Sequence, residues 1–279
     1  MQSGKNDLRH GISSVGVSSL AGQFFCEFKV ENQFVHGEIP TEEKEGGTAL
    51  HDELIPQRSI SKEDFAKLVG SKKRAYAVLP VWGTLADIRM IGMPDHIIWR
   101  QGRPLWVVEL KTTTKDPTQL WDDQRAQVVI YGALLEQMGF DCTGLRLALV
   151  RLKAADLSEK ERRDWVTRVS KYLEADQVER LENTDAGKMK VHVLRHDVAE
   201  AEATVRRMQD YWLGRREPTS STSPNKCKAC EYHTLCPKSL FKPSSPREMR
   251  RMASTTRPPS GCSRLFWRKS GRLSAGSGR

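Results

Sequence analysis

Apolar positions change their spacing several times along the chain, and each change marks an element. From Ser18 onward, Leu20, Phe24, Phe25 and Phe28 recur at helical spacing behind a residue suited to capping, which predicts a first helix that carries Cys26. The acidic, glycine-containing run TEEKEGG leads into a second helix start at Thr48, and Ser61 with Asp64 forms a capping-box pattern ahead of a helix reaching about residue 69. Between Tyr76 and Thr113 the pattern shortens: AYAVLPVWG, LADIRMIG, DHIIW and LWVVELKT are brief apolar runs rich in Val, Ile and Trp, separated by Gly and Pro, and predict strands. A long helix from about Gln119 to Met138 follows, stopped by Gly139. LRLALVRL then reads as a buried strand, 158–181 as one charged amphipathic helix, KVHVLRH as a strand and 198–213 as a last helix. Helices, three or four strands, a helix and a strand in that order predict an α/β sheet of mixed strand directions.

Composition adds a boundary. Hydrophobic residues make up 38% of 279, enough for a core, and no run approaches the ~18 apolar residues of a membrane span. The first thirty residues lack the sections of a signal peptide, which predicts a cytoplasmic protein, nucleoid-associated in a prokaryote, and no membrane partner. The net charge of +10 is concentrated: residues 242–279 hold ten of the 45 Lys and Arg and one of the 35 acids, so the body is nearly neutral. That Ser-, Pro-, Gly- and Arg-rich tail has too few bulky apolar residues to fold alone. The expected organisation is a flexible stretch at 1–16, one domain over 17–241 with a Cys-rich closing segment at 225–238, and a disordered basic tail over 242–279.

The sharpest local feature is MPDHIIWRQGRPLWVVELK. Asp95 opens one strand, and Glu109 and Lys111 close the next across a glycine-containing turn. Strand alternation puts Val107, Glu109 and Lys111 on one face and Trp106, Val108 and Leu110 on the other. Paired as a hairpin, the two strands bring Asp95 close to Glu109, where like charges repel unless a cation lies between them. Magnesium or manganese, which prefer oxygen ligands, suits such a pair. Phosphodiester cleavage needs a metal on the phosphoryl group, an activated water and a cation against developing charge. Asp95 and Glu109 can hold the metal, and Lys111 can orient the water. His51 is a further candidate ligand, and Gln127 and Tyr131, four residues apart, share a helix face. Lys72, Lys73, Arg74, Arg100 and Arg103 are candidates to track phosphates, and Trp82, Trp99 and Trp121 to stack on bases, although a strand Trp is more often core.

With these residues in order, the chain resembles the RecB-like nucleases of the PD-(D/E)XK superfamily. Gly47-Thr-Ala-Leu-His51 is similar to that family's histidine motif, Pro94-Asp95 to its PD motif, Glu109-Leu-Lys111 to its ExK motif and Gln127-Val-Val-Ile-Tyr131 to its QxxxY motif. The resemblance implies a restriction-endonuclease-like mixed sheet flanked by helices. It implies metal ligation by His51, Asp95, Glu109 and the Leu110 carbonyl, a catalytic role for Lys111, and substrate-side support from Gln127 and Tyr131.

Six cysteines without a signal peptide point to metal rather than disulfides, and three are grouped as Cys227, Cys230 and Cys236. Cys26 ahead of this C-x2-C-x5-C run is similar to the iron-sulfur branch of the family, which includes the CRISPR-adaptation nucleases and exonuclease V. The resemblance implies a [4Fe-4S] cluster on Cys26, Cys227, Cys230 and Cys236, stapling the N-terminal helix to the end of the domain across 200 intervening residues. Zinc, with His233 inside the same run, is the rival. Cys142 reads as a small buried hydrophobe and Cys262 as a free thiol.

These readings imply a metal-dependent deoxyribonuclease, expected to be an exonuclease on single-stranded DNA or free ends in repair or processing. Protospacer processing in CRISPR adaptation is the alternative, and a catalytically silent nucleic-acid-binding scaffold is the alternative of another class. No P-loop motor motif is present, so either unwinding is expected from a partner, a helicase or CRISPR adaptation proteins being the candidates, or the substrate is already single-stranded.

Overall fold

The computed structural model describes residues 8–41, 44–46, 48–49, 54, 62–73, 75–184 and 187–241. His51, Ser61, Arg74, Cys262 and the whole tail from residue 242 lie outside them. All described residues belong to one compact unit, Met1–Lys242.

Five strands form the main sheet in the order β2-β5-β6-β7-β8: β2 (Ala75–Tyr76), β5 (His96–Arg100), β6 (Arg103–Thr112), β7 (Arg146–Leu152) and β8 (Met189–Arg195). A smaller sheet, β1-β4-β3, consists of β1 (Val15–Gly16), β3 (Val81–Leu85) and β4 (Ile88–Gly92). Two tight hairpins account for consecutive strands. Gln101 and Gly102 both have positive φ between β5 and β6, as Ala86 and Asp87 do between β3 and β4, the backbone that suits the twist of a two-residue hairpin.

The site depends on one crossover. β6 and β7 are parallel, so the chain must return between them. It does so through helix α4 (Asp122–Gln137), which follows α1 (Val17–Gly22), α2 (Glu27–His36) and α3 (Lys62–Val69). Ile97, Trp99, Val107 and Leu147 pack against Val128, Ile130, Tyr131 and Leu134 of α4 in one core. The alternate residues Ile98, Trp106, Val108, Leu110 and Val150 form a second core on the opposite face with Trp165, Val169 and Leu173. The expected alternation therefore holds, and Glu109 continues the face that α4 covers.

Two element predictions are corrected. The segment 158–181 is not one helix but three, α5 (Glu159–Arg163), α6 (Trp165–Glu174) and α7 (Val178–Thr184). Ser158 and Glu161 make a full capping box at the first, non-helical backbone at Asp164 breaks it from the second, and positive φ at Asp176 ends the second. The break frees α6 to bury Trp165, Val169 and Leu173 along a single stripe. Cys26, expected within the first helix, lies instead in extended backbone (φ −175°, ψ 128°) as the residue preceding α2. Between α1 and α2 the chain tightens, with Gln23, Phe24 and Phe25 each donating to the carbonyl three residues back. Helices α8 (Val198–Trp212) and α9 (Pro224–Lys228) complete the described chain. Among the described residues no helix is long and apolar enough to cross a membrane.

Candidate active site

The hairpin and the crossover bring Asp95, Glu109, Lys111 and Tyr131 to one place. Register pairs His96 with Val108, so Asp95 sits beside Glu109 and Leu110. Its Oδ2 accepts the Leu110 N–H at 2.7 Å, which fixes the orientation of the carboxylate. Glu109 is 1% exposed, and its Oε1 accepts from Lys111 Nζ at 2.6 Å. Burial pulls the Lys111 pKa down, but the charges of Glu109 and Asp95 outweigh it, and the ammonium is held above its ordinary range. Burial and the same two carboxylates raise the Tyr131 hydroxyl, while Gln127 Nε2, donating to its oxygen at 3.0 Å, works in the other direction. One ammonium and one phenol thus sense both acids, which places the acids together. Two carboxylates on a protein-lined face are an oxygen donor set that suits a hard divalent cation, with the Lys111 ammonium beside it as a separate charge. On the opposite face, burial lowers His96 to about 4 against the opposing pull of the Asp95 charge, and its Nε2 lies 3.0 Å from Ser170 Oγ, so this imidazole is neutral structure.

A glycine sets the spacing of these parts. A Cβ on Gly92 would lie 2.6 Å from Tyr131 Cε1 and 2.8 Å from Val17 Cγ2. Only a bare backbone lets β4 reach the tyrosine that stands over the acids.

Two further residues on the same face were not legible as site residues. Across the strands, Glu109 pairs with Leu149 and Leu149 with His192, while Lys111 pairs with Arg151 and Arg151 with Lys190. Directly opposed residues share a face, so Arg151 and His192 belong beside the acids. Arg151 is buried; it donates to the Gln119 carbonyl and to Thr113 Oγ1 at 3.4 Å. His192 bonds the Pro117 backbone, though burial still lowers its pKa. Together they tie down the loop 113–121 that leaves β6 at the site.

The bases expected to track phosphates sit elsewhere. Arg100 and Arg103 flank the β5–β6 turn, at the end of the hairpin away from Asp95, and Arg103 is ion-paired with Asp141. Lys72 and Lys73 adjoin the same turn, because Gln101 N–H donates to the Ser71 carbonyl at 2.9 Å. Five residues of strand separate Arg100 from Asp95, about 16 Å at ~3.3 Å per residue. Of the aromatic candidates, Trp99 is fully buried, whereas Trp82 and Trp121 are 56% and 45% exposed.

Cys26, Cys227, Cys230 and Cys236, with His233, line one cavity between the start of α2 and the segment around α9. The Ser221 N–H points at Cys26 Sγ at 3.4 Å, and burial pushes the Cys230 thiol up to about 11. Beside Cys26 is a polar clasp that sequence reading missed. Glu27 accepts from Arg216 Nη1 and Nη2 at 2.6 and 2.5 Å, from Thr219 N at 2.7 Å, from Thr219 Oγ1 at 2.8 Å and from Gln23 Nε2 at 2.9 Å. Burial raises the Glu27 carboxyl, but these donors prevail and set it at about 2. A folded pKa of about 2 against an ordinary 4.5 stabilises fully above pH 4.5 and is lost as pH falls from 4.5 towards 2. Glu27→Gln is expected to remove about 2–3 kcal/mol of this acid-dependent stability, read from urea unfolding of both proteins at pH 6 and pH 3. An unchanged difference between the two pH values would refute it.

Cys142 is buried, with its thiol pushed up to about 12 by burial and then by Glu136 and Asp141, in keeping with a small buried hydrophobe. It also belongs to a trio with Glu136 and His196 whose ligand atoms lie within 4.8 Å of one another. Glu136 Oε2 and His196 Nε2 are already bonded to each other at 2.6 Å.

A family model, the PD-(D/E)XK nuclease superfamily, matches residues 33–237. No curated protein matches the chain. The solved structure of SSO0001 superposes with a TM-score of 0.40 and 13% identity, over 82% of this chain and 89% of that one, too loosely to support an argument. The family match spans the Asp95, Glu109, Lys111 and Tyr131 cluster and the three grouped cysteines, over more than half of the chain. The chain belongs to the PD-(D/E)XK nuclease superfamily and is a metal-dependent nuclease.

Proposed function

We propose that the protein is a RecB-like deoxyribonuclease of the iron-sulfur branch that degrades unpaired DNA from free ends. The observation that carries the reading is the convergence of Asp95, held by the Leu110 N–H, with the bonded pair of Glu109 and Lys111 on neighbouring strands, where both acids act on Tyr131. Magnesium or manganese, when bound, polarises the phosphoryl oxygen and lowers the pKa of water. Asp95 and Glu109 hold that ion in this reading, together with the Leu110 carbonyl and His51. Lys111, kept charged by both carboxylates, orients the attacking water and offsets charge gathering on the phosphate. Gln127 orients the Tyr131 hydroxyl, which stays protonated and so can donate to a substrate oxygen. Arg151 and His192 hold the 113–121 loop in place beside the face. The four thiols lining one cavity suit the four-thiolate set of a [4Fe-4S] cluster, which closes the N-terminal segment onto the C-terminal one.

Anaerobically purified protein with magnesium or manganese is expected to shorten end-labelled linear single strands to a ladder and to leave circular single strands intact. Iron analysis of the same sample is expected to give about four irons per chain. Circles cut as fast as linear strands would refute end dependence. No metal-dependent cutting from iron-replete protein would refute the catalytic reading of these residues.

A further inference from the structure

We infer that Trp82, Ile91 and Met93 form a base-stacking platform that delivers an unpaired nucleic-acid strand to Asp95. The inference rests on the reading of the chain as a nuclease of unpaired DNA and names where that strand travels. Trp82 on β3 directly opposes Ile91 on β4, and the two are 56% and 41% exposed. On the other flank of Ile91 the paired residue is Gly16, so no side chain walls the surface off. Met93, two residues beyond Ile91, is 46% exposed, and Asp95 follows two residues later. The apolar residues therefore end within four positions of Asp95, at most about 13 Å away at ~3.3 Å per residue, where the chain leaves β4 at Gly92 and enters β5 at His96. Arg89, exposed on the same face of β4, supplies a cation for a phosphate beside it.

The reverse side of this small sheet explains why the strip keeps its place. A Cβ on Gly83 would lie 2.2 Å from Gln137 Oε1, and Gln137 in turn bonds both the N–H and the carbonyl of Thr84, each at 2.6 Å. With Gly92 against Tyr131, two bare positions let β3 and β4 press directly on α4. The outer platform and the inner tyrosine are thus fixed to one another through a single layer of backbone. Three large apolar side chains exposed side by side make a patch that calls for an occupant. Its continuity with Asp95 selects the substrate, since the polymer must cross the protein on its way to the acids. It selects unpaired strands because stacking needs a free base face, which a duplex hides.

The test measures binding of a fluorescent single-stranded oligonucleotide and of a duplex in a Lys111→Ala background, which keeps the probe intact. Adding Trp82→Ala is expected to weaken single-strand binding about tenfold, as loss of one base–aromatic stack does, with Trp82→Phe restoring most of it. Duplex affinity should change less than about twofold, and the salt slope should stay the same because no phosphate contact is removed. Ile91→Ala gives a second, smaller loss, and Val35→Ala, an exposed apolar residue on α2, gives none. Equal losses for single strand and duplex, an unchanged affinity, or no measurable single-strand binding at all would overturn the platform. So would a Trp82→Ala protein that changes only its sedimentation, since the patch would then join copies of the chain. Cleavage by the otherwise native protein is scored separately: if it fails while the Trp82 effect persists, the catalytic reading is at fault and not the platform.

Discussion

Lys111→Ala is expected to slow metal-dependent cleavage by about a thousandfold or more, equivalent to ~4 kcal/mol of transition-state stabilisation. The side chain has two attachments to the chemistry. It bonds Glu109 Oε1 at 2.6 Å, and its charge is supported by Asp95 as well, so it stands where the two acids meet. Removing it takes away a cation positioned for developing phosphate charge and leaves a buried carboxylate to be neutralised in another way. The second effect is structural and must be separated from the first. Lys111→Arg serves for that, because a guanidinium preserves the charge beside Glu109 while its planar fork cannot occupy the site of a compact ammonium. The expected result is a Lys111→Arg protein with near-native Tm and cleavage still reduced at least a hundredfold. If Lys111→Arg cuts at the native rate, Lys111 acts only as a counter-ion to Glu109. Measurement at saturating magnesium distinguishes a slower chemical step from weaker metal binding, which Glu109→Gln should show instead.

Much of this site was legible because strand alternation is a strict rule. Two residues of period 2 put Glu109 and Lys111 on a single face, but the register that sets Asp95 against Glu109 needs, besides the two-residue turn, a one-residue shift of pairing at Ile98 and Trp99 that periodicity does not show. The four-residue step from Gln127 to Tyr131 was equally readable, and their hydrogen bond follows from it. What escaped had long sequence separation or depended on burial. Glu27 and Arg216 lie 189 positions apart, and each looks like an ordinary surface charge until the ends of the domain meet. Arg151 lies in a strand that reads as buried, and nothing in that apolar run shows that its guanidinium holds the 113–121 loop. Cys26 was assigned to a helix because Leu20, Phe24 and Phe28 keep helical spacing across a break that periodicity does not register. Lys72, Lys73, Arg100 and Arg103 were credible near the phosphate path by charge alone, and topology sends them to the other end of the hairpin. A charge has no address until the turn beside it is placed.

With the proposed [4Fe-4S] cluster on the four cysteines, removal of its iron is expected to lower the Tm of the whole domain by about 10–20 °C. Tying Cys26 to Cys227 restrains a loop of 200 residues, and by the chain-entropy account for cross-links this contributes on the order of 5 kcal/mol. At ~2–4 °C per kcal/mol for a domain of this size, the quoted range follows. The polar contacts at the same junction limit the loss. Glu27 still grips Arg216 and Thr219, Lys226 Nζ donates to the Phe24 carbonyl at 3.0 Å, Tyr232 Oη to the Gly37 carbonyl at 2.7 Å, and Glu231 faces Lys44 at 2.7 Å. The iron-free protein should therefore remain folded at low temperature, with its segment 216–241 more open to protease. Serine at any one of Cys26, Cys227, Cys230 or Cys236 should give nearly the full loss, and pairs of such changes little more, since the ligands act as a unit. Serine at Cys142, outside the cavity, should leave iron content unchanged. A zinc site of three cysteines and His233 makes the opposite forecast at two positions: Cys26→Ser would be mild and His233→Ala severe. Calorimetry with metal analysis on these six variants decides between them, and a Cys26→Ser protein with native metal content and native Tm would rule out the cluster.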